Sequence, residues 1–88
     1  MILYTDSAVE DLQKIRVEDG HEVMLMLFEW CERLDEAATR IMAERLGGSD
    51  PIYRLRVEEY HINFQLHETG GRNTVQIARV RRRNRPFG

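Results

Sequence analysis

The spacing of apolar residues changes period along the chain, and each change marks an element boundary. Residues 1 to 5 alternate enough to predict a short strand. Ser7, with Glu10 three positions on, forms a capping-box pair, so a helix is expected to begin near Ser7. Val9, Leu12 and Ile15 then lie three apart, while Glu10, Asp11, Lys14 and Glu18 fall elsewhere. That is a one-sided amphipathic helix, ending near Asp19-Gly20, where the glycine serves as hinge. A second three-and-four spacing runs through Met24, Leu27, Phe28, Cys31, Leu34, Ala38, Ile41 and Met42, and predicts a helix from His21 to about Leu46. Gly47-Gly48-Ser49-Asp50-Pro51 ends it, with a glycine suited to a helix C-cap and a proline that cannot continue the helix.

From Ile52 the period becomes two. Tyr53, Leu55 and Val57 oppose Arg54 and Arg56, a half-buried strand ending near Val57. Glu58-Glu59 makes a tight turn without the Gly or Asn that two-residue hairpins favour. Tyr60, Ile62, Phe64 and Leu66 alternate with His61, Asn63, Gln65 and His67 in the clearest strand of the chain. Thr69-Gly70-Gly71-Arg72-Asn73 turns the chain again, Thr74 to about Arg81 forms a fourth strand, and a basic tail follows. The expected architecture is α+β: a short N-terminal strand, a two-helix hairpin, then a three-stranded antiparallel meander, giving one twisted sheet with helices on one face.

With 88 residues, 42% hydrophobic and 32% charged, residues 1–88 suit a single domain around one modest core. No apolar run approaches the roughly 18 residues of a membrane span, and no basic segment followed by an apolar stretch opens the chain, so neither membrane anchor nor signal peptide is expected. Cys31 is the only cysteine, which excludes an internal disulfide and a zinc site of paired thiolates, and favours a reducing, cytoplasmic setting. The net charge of −2 conceals an asymmetry: through Asp50, twelve acidic residues outweigh five basic ones, whereas from Pro51 onward eight arginines face three acids. The balance is −7 and then +5. Since arginine's planar fork suits phosphate and base stacking, a polyanion is a candidate partner of the C-terminal half.

Parity along the strands sorts the side chains that can converge. Tyr53, Leu55, Val57, Tyr60, Ile62, Phe64, Leu66, Val75 and Ile77 are expected on the core face. Arg54, Arg56, His61, Asn63, Gln65, Gln76, Ala78, Val80 and Arg82 are expected on the other, provided no bulge breaks the parity past Arg79. Three arginines and one histidine on a helix-free surface offer phosphate binding and proton transfer; a merely polar sheet face is the competing reading. His21 and His67 are expected at exposed element ends, and the three histidines lack the spacing of a metal site, so no metal or other cofactor is expected. Met24, Met26, Phe28 and Trp30 read as helix packing, and Cys31 as an inert core thiol. Apolar residues at 23 to 28 run nearly all round their helix, which suggests cover by a partner segment or a second copy.

This order of elements, with Tyr53-Arg54-Leu55-Arg56-Val57-Glu58-Glu59-Tyr60-His61-Ile62 and Ile77-Ala78-Arg79-Val80-Arg81-Arg82-Arg83, resembles the RelE/ParE toxin superfamily over nearly the whole chain. The resemblance implies the toxin of a type II toxin–antitoxin pair, partnered by a co-encoded antitoxin. Its RelE branch implies metal-independent cleavage of messenger RNA on the ribosome; its ParE branch implies non-enzymatic inhibition of DNA gyrase. A degenerate relative that binds RNA or protein without toxicity is a third reading. On the RelE pattern, Arg54 and Arg56 match a phosphate-gripping pair, and Arg82 matches an arginine that stabilises charge developing on phosphate. Phe87 matches a terminal aromatic that stacks on a base. His61 stands where the family usually has arginine, a departure that would either supply a general base or acid or mark the loss of a phosphate-stabilising arginine. Phe87 can stack but cannot donate a proton. Arg79, Arg81, Arg83 and Arg85 are further candidates for RNA contact, with antitoxin contact and a solvated tail as rivals.

Overall fold

The computed structural model describes residues 1–49 and 51–83; Arg85 and Phe87, both candidate site residues, lie outside the described residues. The elements are β1 (Ile2–Tyr4), α1 (Asp6–Asp19), α2 (His21–Arg33), α3 (Ala37–Arg40), β2 (Glu44–Arg45), β3 (Ile52–Val57), β4 (Tyr60–Thr69) and β5 (Arg72–Arg82). The strands form one sheet in the order β1-β5-β4-β3-β2. β3, β4 and β5 are the expected antiparallel meander. β1 runs parallel to β5, with Ile2 opposite Val75 and Tyr4 opposite Ile77.

Three local features depart from the expected elements. The first is the helix start: α1 is capped by Thr5, whose Oγ1 accepts from the Ala8 N–H at 3.1 Å, so the helix begins one residue before Ser7. The same hydroxyl donates to the Ala78 carbonyl of β5 at 2.9 Å, tying the helix entrance to the sheet.

The second is the end of α2, which stops at Arg33 and does not run to Leu46. Leu34 turns fully into the core, and the Arg40 guanidinium donates to the Leu34 and Asp35 carbonyls at 2.9 and 2.8 Å. Those donations satisfy acceptors that a helix terminus leaves open. Ile41 and Met42, which continue the apolar spacing, are 83% and 63% exposed. The third is β2, a two-residue strand within the segment expected to be helical, pairing Glu44 with Arg54 and Arg45 with Tyr53.

The core lies between the helices and one face of the sheet. Ala8, Leu12 and Ile15 of α1 and Leu27 and Cys31 of α2 meet Leu55, Val57, Ile62, Phe64, Val75, Ile77 and Val80. Tyr53 stacks on its cross-strand partner Phe64 with centroids 5.4 Å apart, and Tyr4 stacks on Phe28 at 5.7 Å. Met24, Met26 and Trp30 are partly buried against this core, and the Arg33 guanidinium lies 4.9 Å over the Trp30 ring. Burial pushes the Cys31 thiol up to about 12, so it stays protonated and unreactive at neutral pH. Tyr4, raised chiefly by burial, donates its hydroxyl to Glu32. Among the described residues, no helix is long and apolar enough to cross a membrane.

Candidate functional site

Register across β3, β4 and β5 decides which side chains face the helix-free side. Arg56 lies opposite His61 and Arg54 opposite Asn63 between β3 and β4. Between β4 and β5, His61 lies opposite Arg81, Asn63 opposite Arg79, and Phe64 opposite Ile77, which leaves Ala78 unpaired at a bulge. Directly opposed residues share a face, so the open side carries two rows. One is Arg56, His61, Arg81; the next is Arg54, Asn63, Arg79.

The bulge corrects the expected placement of two residues. Val80 and Arg82 were expected beside His61, but the extra residue inverts the parity of everything after it. Val80 lies opposite Ile62 and is 1% exposed in the core. Arg82 lies opposite Tyr60, on the helix side. There its guanidinium bonds Glu59 at 2.8 Å and Asp19 at 3.4 Å, and the Glu59 carboxylate leads in raising its pKa. The Tyr60 hydroxyl donates to the other oxygen of Asp19 at 2.6 Å; burial and then this bond push Tyr60 up to about 12. Arg82 is therefore held by carboxylates away from the histidine, and Arg81 occupies the place expected for it.

Arg79 is intermediate. β1 ends where Tyr4 pairs with Ile77, so the edge of β5 beyond that point is open to α1. Asp11 of α1 receives Arg79 in a bidentate bond at 2.8 and 3.0 Å and accepts the Val80 backbone N–H at 3.0 Å. One carboxylate thus covers a strand edge and draws Arg79 toward the helix.

A cleft of about 650 Å³ runs from α1 over this edge to the open face. Its cationic lining is Lys14, Arg54, Arg79, Arg81, Arg82 and Arg83, against Asp11, Glu18 and Asp19, a balance of six to three. His61 also lines it and has its pKa lowered from 6.5, first by burial and then by Arg54, Arg83 and Arg56, with Glu44 opposing. A histidine so placed is neutral at pH 7 and presents a ring nitrogen able to take a proton. Glu44 neutralises the arginines only loosely, at 3.9 Å from both Arg54 and Arg56.

Among the described residues, three buried side-chain atoms on this face have no hydrogen-bond partner: Arg54 Nε, His61 Nε2 and Asn63 Oδ1. Buried polar groups are ordinarily satisfied, so three such atoms on two neighbouring strands mark a place for a ligand. His21 and His67 are exposed and do not join the cluster. Among the described residues, no group of three or more His, Cys, Asp or Glu side chains could hold a metal ion.

The sheet order, the helical hairpin and the basic open face place the chain in a recognised architecture: it has the fold of the RelE/ParE toxins. Among solved structures, the RelBE2 toxin–antitoxin complex from Mycobacterium tuberculosis contains a chain similar to this one at TM-score 0.74 and 20% identity, over 94% of this chain and 96% of that one. The chromosomal ParDE system from P. aeruginosa is similar at TM-score 0.65 and 22% identity, over 94% and 95%. The YoeB/ParE toxin from Agrobacterium tumefaciens is similar at 0.64 and 16%, over 94% and 98%. No protein-family model matches the chain, and no curated protein sequence matches it.

Proposed function

We propose that this chain is the toxin of a type II toxin–antitoxin pair, partnered by its own antitoxin protein, and that it cleaves messenger RNA on the ribosome in the cytoplasm without a metal. The observation that carries this reading is the unpartnered Nε2 of a neutral His61, seated between Arg56 and Arg81 in one row of the open face. A general base needs a free lone pair at working pH, and a phosphodiester needs fixed positive charge beside it.

In the reaction, His61 Nε2 takes the proton of a ribose 2′-hydroxyl. The 2′-oxygen then bonds to the adjacent phosphorus and the bond from phosphorus to the 5′-oxygen breaks. The products are a 2′,3′-cyclic phosphate and a 5′-hydroxyl end, the leaving oxygen taking its proton from water. Arg54 and Arg81 hold the phosphate oxygens as charge develops on them, and Arg56 and Arg83 add to the field that keeps His61 neutral before the reaction. Arg82, paired with Glu59 and Asp19, organises the helix side of the cleft.

The test is induced expression in a bacterial host with mapping of 5′-hydroxyl ends on messenger RNA, for the native chain, His61→Ala and Arg81→Ala. New ends within translated messages, lost in both variants, support the nuclease. Growth arrest with intact messages and damaged DNA would transfer the assignment to a gyrase inhibitor.

A further inference from the structure

The nuclease reading uses two of the three unpartnered atoms and leaves Asn63 Oδ1 unexplained. Asn63 sits at the centre of the second row, directly opposite Arg54, and two residues along β4 from His61 on the same face. That separation is about 7 Å along the strand, with about 5 Å between neighbouring strands. The three atoms differ in kind. Arg54 Nε–H is a donor, His61 Nε2 in the neutral ring protonated at Nδ1 is an acceptor, and the amide oxygen of Asn63 is an acceptor. A ligand satisfying all three must bring one acceptor and two donors.

Inorganic phosphate at neutral pH supplies the acceptor but is poor in donors, and a second backbone phosphate would meet the Asn63 oxygen lone pair to lone pair. One ribonucleotide supplies the full set: a phosphate oxygen for Arg54, the 2′-hydroxyl for His61, and an N–H on the pairing edge of its base for Asn63. We infer that Asn63 reads the nucleobase beside the scissile phosphate, accepting from a base N–H, and so sets the sequence preference of cleavage. This rests on the nuclease reading and adds to it a specificity-determining residue. Asparagine suits the task because its amide offers an acceptor and a donor in one plane, matched to a base edge. Burial sharpens the selection, since a base lacking the N–H leaves the amide oxygen unsatisfied.

The experiment maps cleavage ends in cells expressing the native chain, Asn63→Ala or Asn63→Thr, the last retaining a side chain that strands favour should alanine reduce the folded yield. The expected result is that the variants still cleave but lose discrimination, the preference for one base at the cut falling about tenfold or more while the number of ends falls less. A residue that only supported the sheet would lower cleavage at every site alike. Cleavage by the variants with the native base distribution overturns the role of Asn63 alone. Absence of cleavage by the native chain overturns the nuclease reading and this inference with it.

Discussion

Arg81 and Arg82 are neighbours in sequence and belong to different regions of the molecule. Arg81 faces the open side beside His61, where Arg54 and Arg56 meet Glu44 only at 3.9 Å and Arg79 is drawn aside to Asp11. Arg82 faces the helices, where Glu59 and Asp19 bind it at 2.8 and 3.4 Å. The side chain type is the same, yet one region retains its charge for a ligand and the other spends it on the fold. Consecutive residues of a strand face opposite ways, and the bulge at Ala78 decides which of the two meets the open side. An arginine count alone therefore overstates the binding surface.

Placing a carboxylate on the helix side, by Val80→Asp, should break the comparison most severely. Val80 lies opposite Ile62 and is 1% exposed, so the new charge would be buried in the core without a partner. We expect a loss of about 3 kcal/mol or more, or no folded protein, read by urea unfolding. His61→Ala comes next, with cleavage falling about 100-fold to 10,000-fold, the usual contribution of a general base. The neighbouring pair gives the sharpest contrast. Arg81→Ala should lower cleavage about 10-fold to 100-fold, as expected for a charge-assisted bond to phosphate, while Arg82→Ala should change it less than about threefold on the same general scale. Equal losses would show that the two regions act as one.

The pH response sharpens the same contrast. The His61 imidazole should titrate below 6.5 by NMR, and Arg54→Gln should raise the midpoint by removing a positive neighbour. The sign for stability follows. Between 6.5 and the lower folded midpoint, the unfolded chain binds the proton more readily, so the contribution of His61 is present above 6.5 and is lost as pH falls through that midpoint. The smallest effect is expected at the β3–β4 turn, where Glu58 has φ 54°. A β-carbon is disfavoured in that left-handed region, so Glu58→Gly should stabilise by up to about 1 kcal/mol in thermal unfolding without altering the open face.

The meander, the first helix and the membership of most of the core were legible in the sequence, because alternation and three-four spacing report burial directly. His61, Arg54, Arg56 and Asn63 fall on their expected face for the same reason. What failed was counting past an irregularity. Ala78 is small and carries no signature of a bulge, so strict alternation carried Val80 and Arg82 to the wrong side. Ala38, Ile41 and Met42 imitated a continuing helix, but apolar spacing does not reveal that Leu34 turns inward or that Arg40 closes the helix end. Asp11 could not be singled out either: its partners, Arg79 and the Val80 N–H, are nearly seventy residues away, a relation that no local pattern encodes.

The position of β5 also governs how the molecule comes into being. Among the described residues, β5 is the sole hydrogen-bonded neighbour of β1, one of the two neighbours of β4 and a surface on which α1 rests, and its pairing with β1 joins residues 73 positions apart. During synthesis, β1 has no strand to join and α1 no completed surface until that late segment emerges. Long-range closure of this kind belongs to the slower, topology-limited regime of folding. Assembly of the sheet therefore waits on β5, and the rows containing His61 and Asn63 gain their third strand only in that closing step.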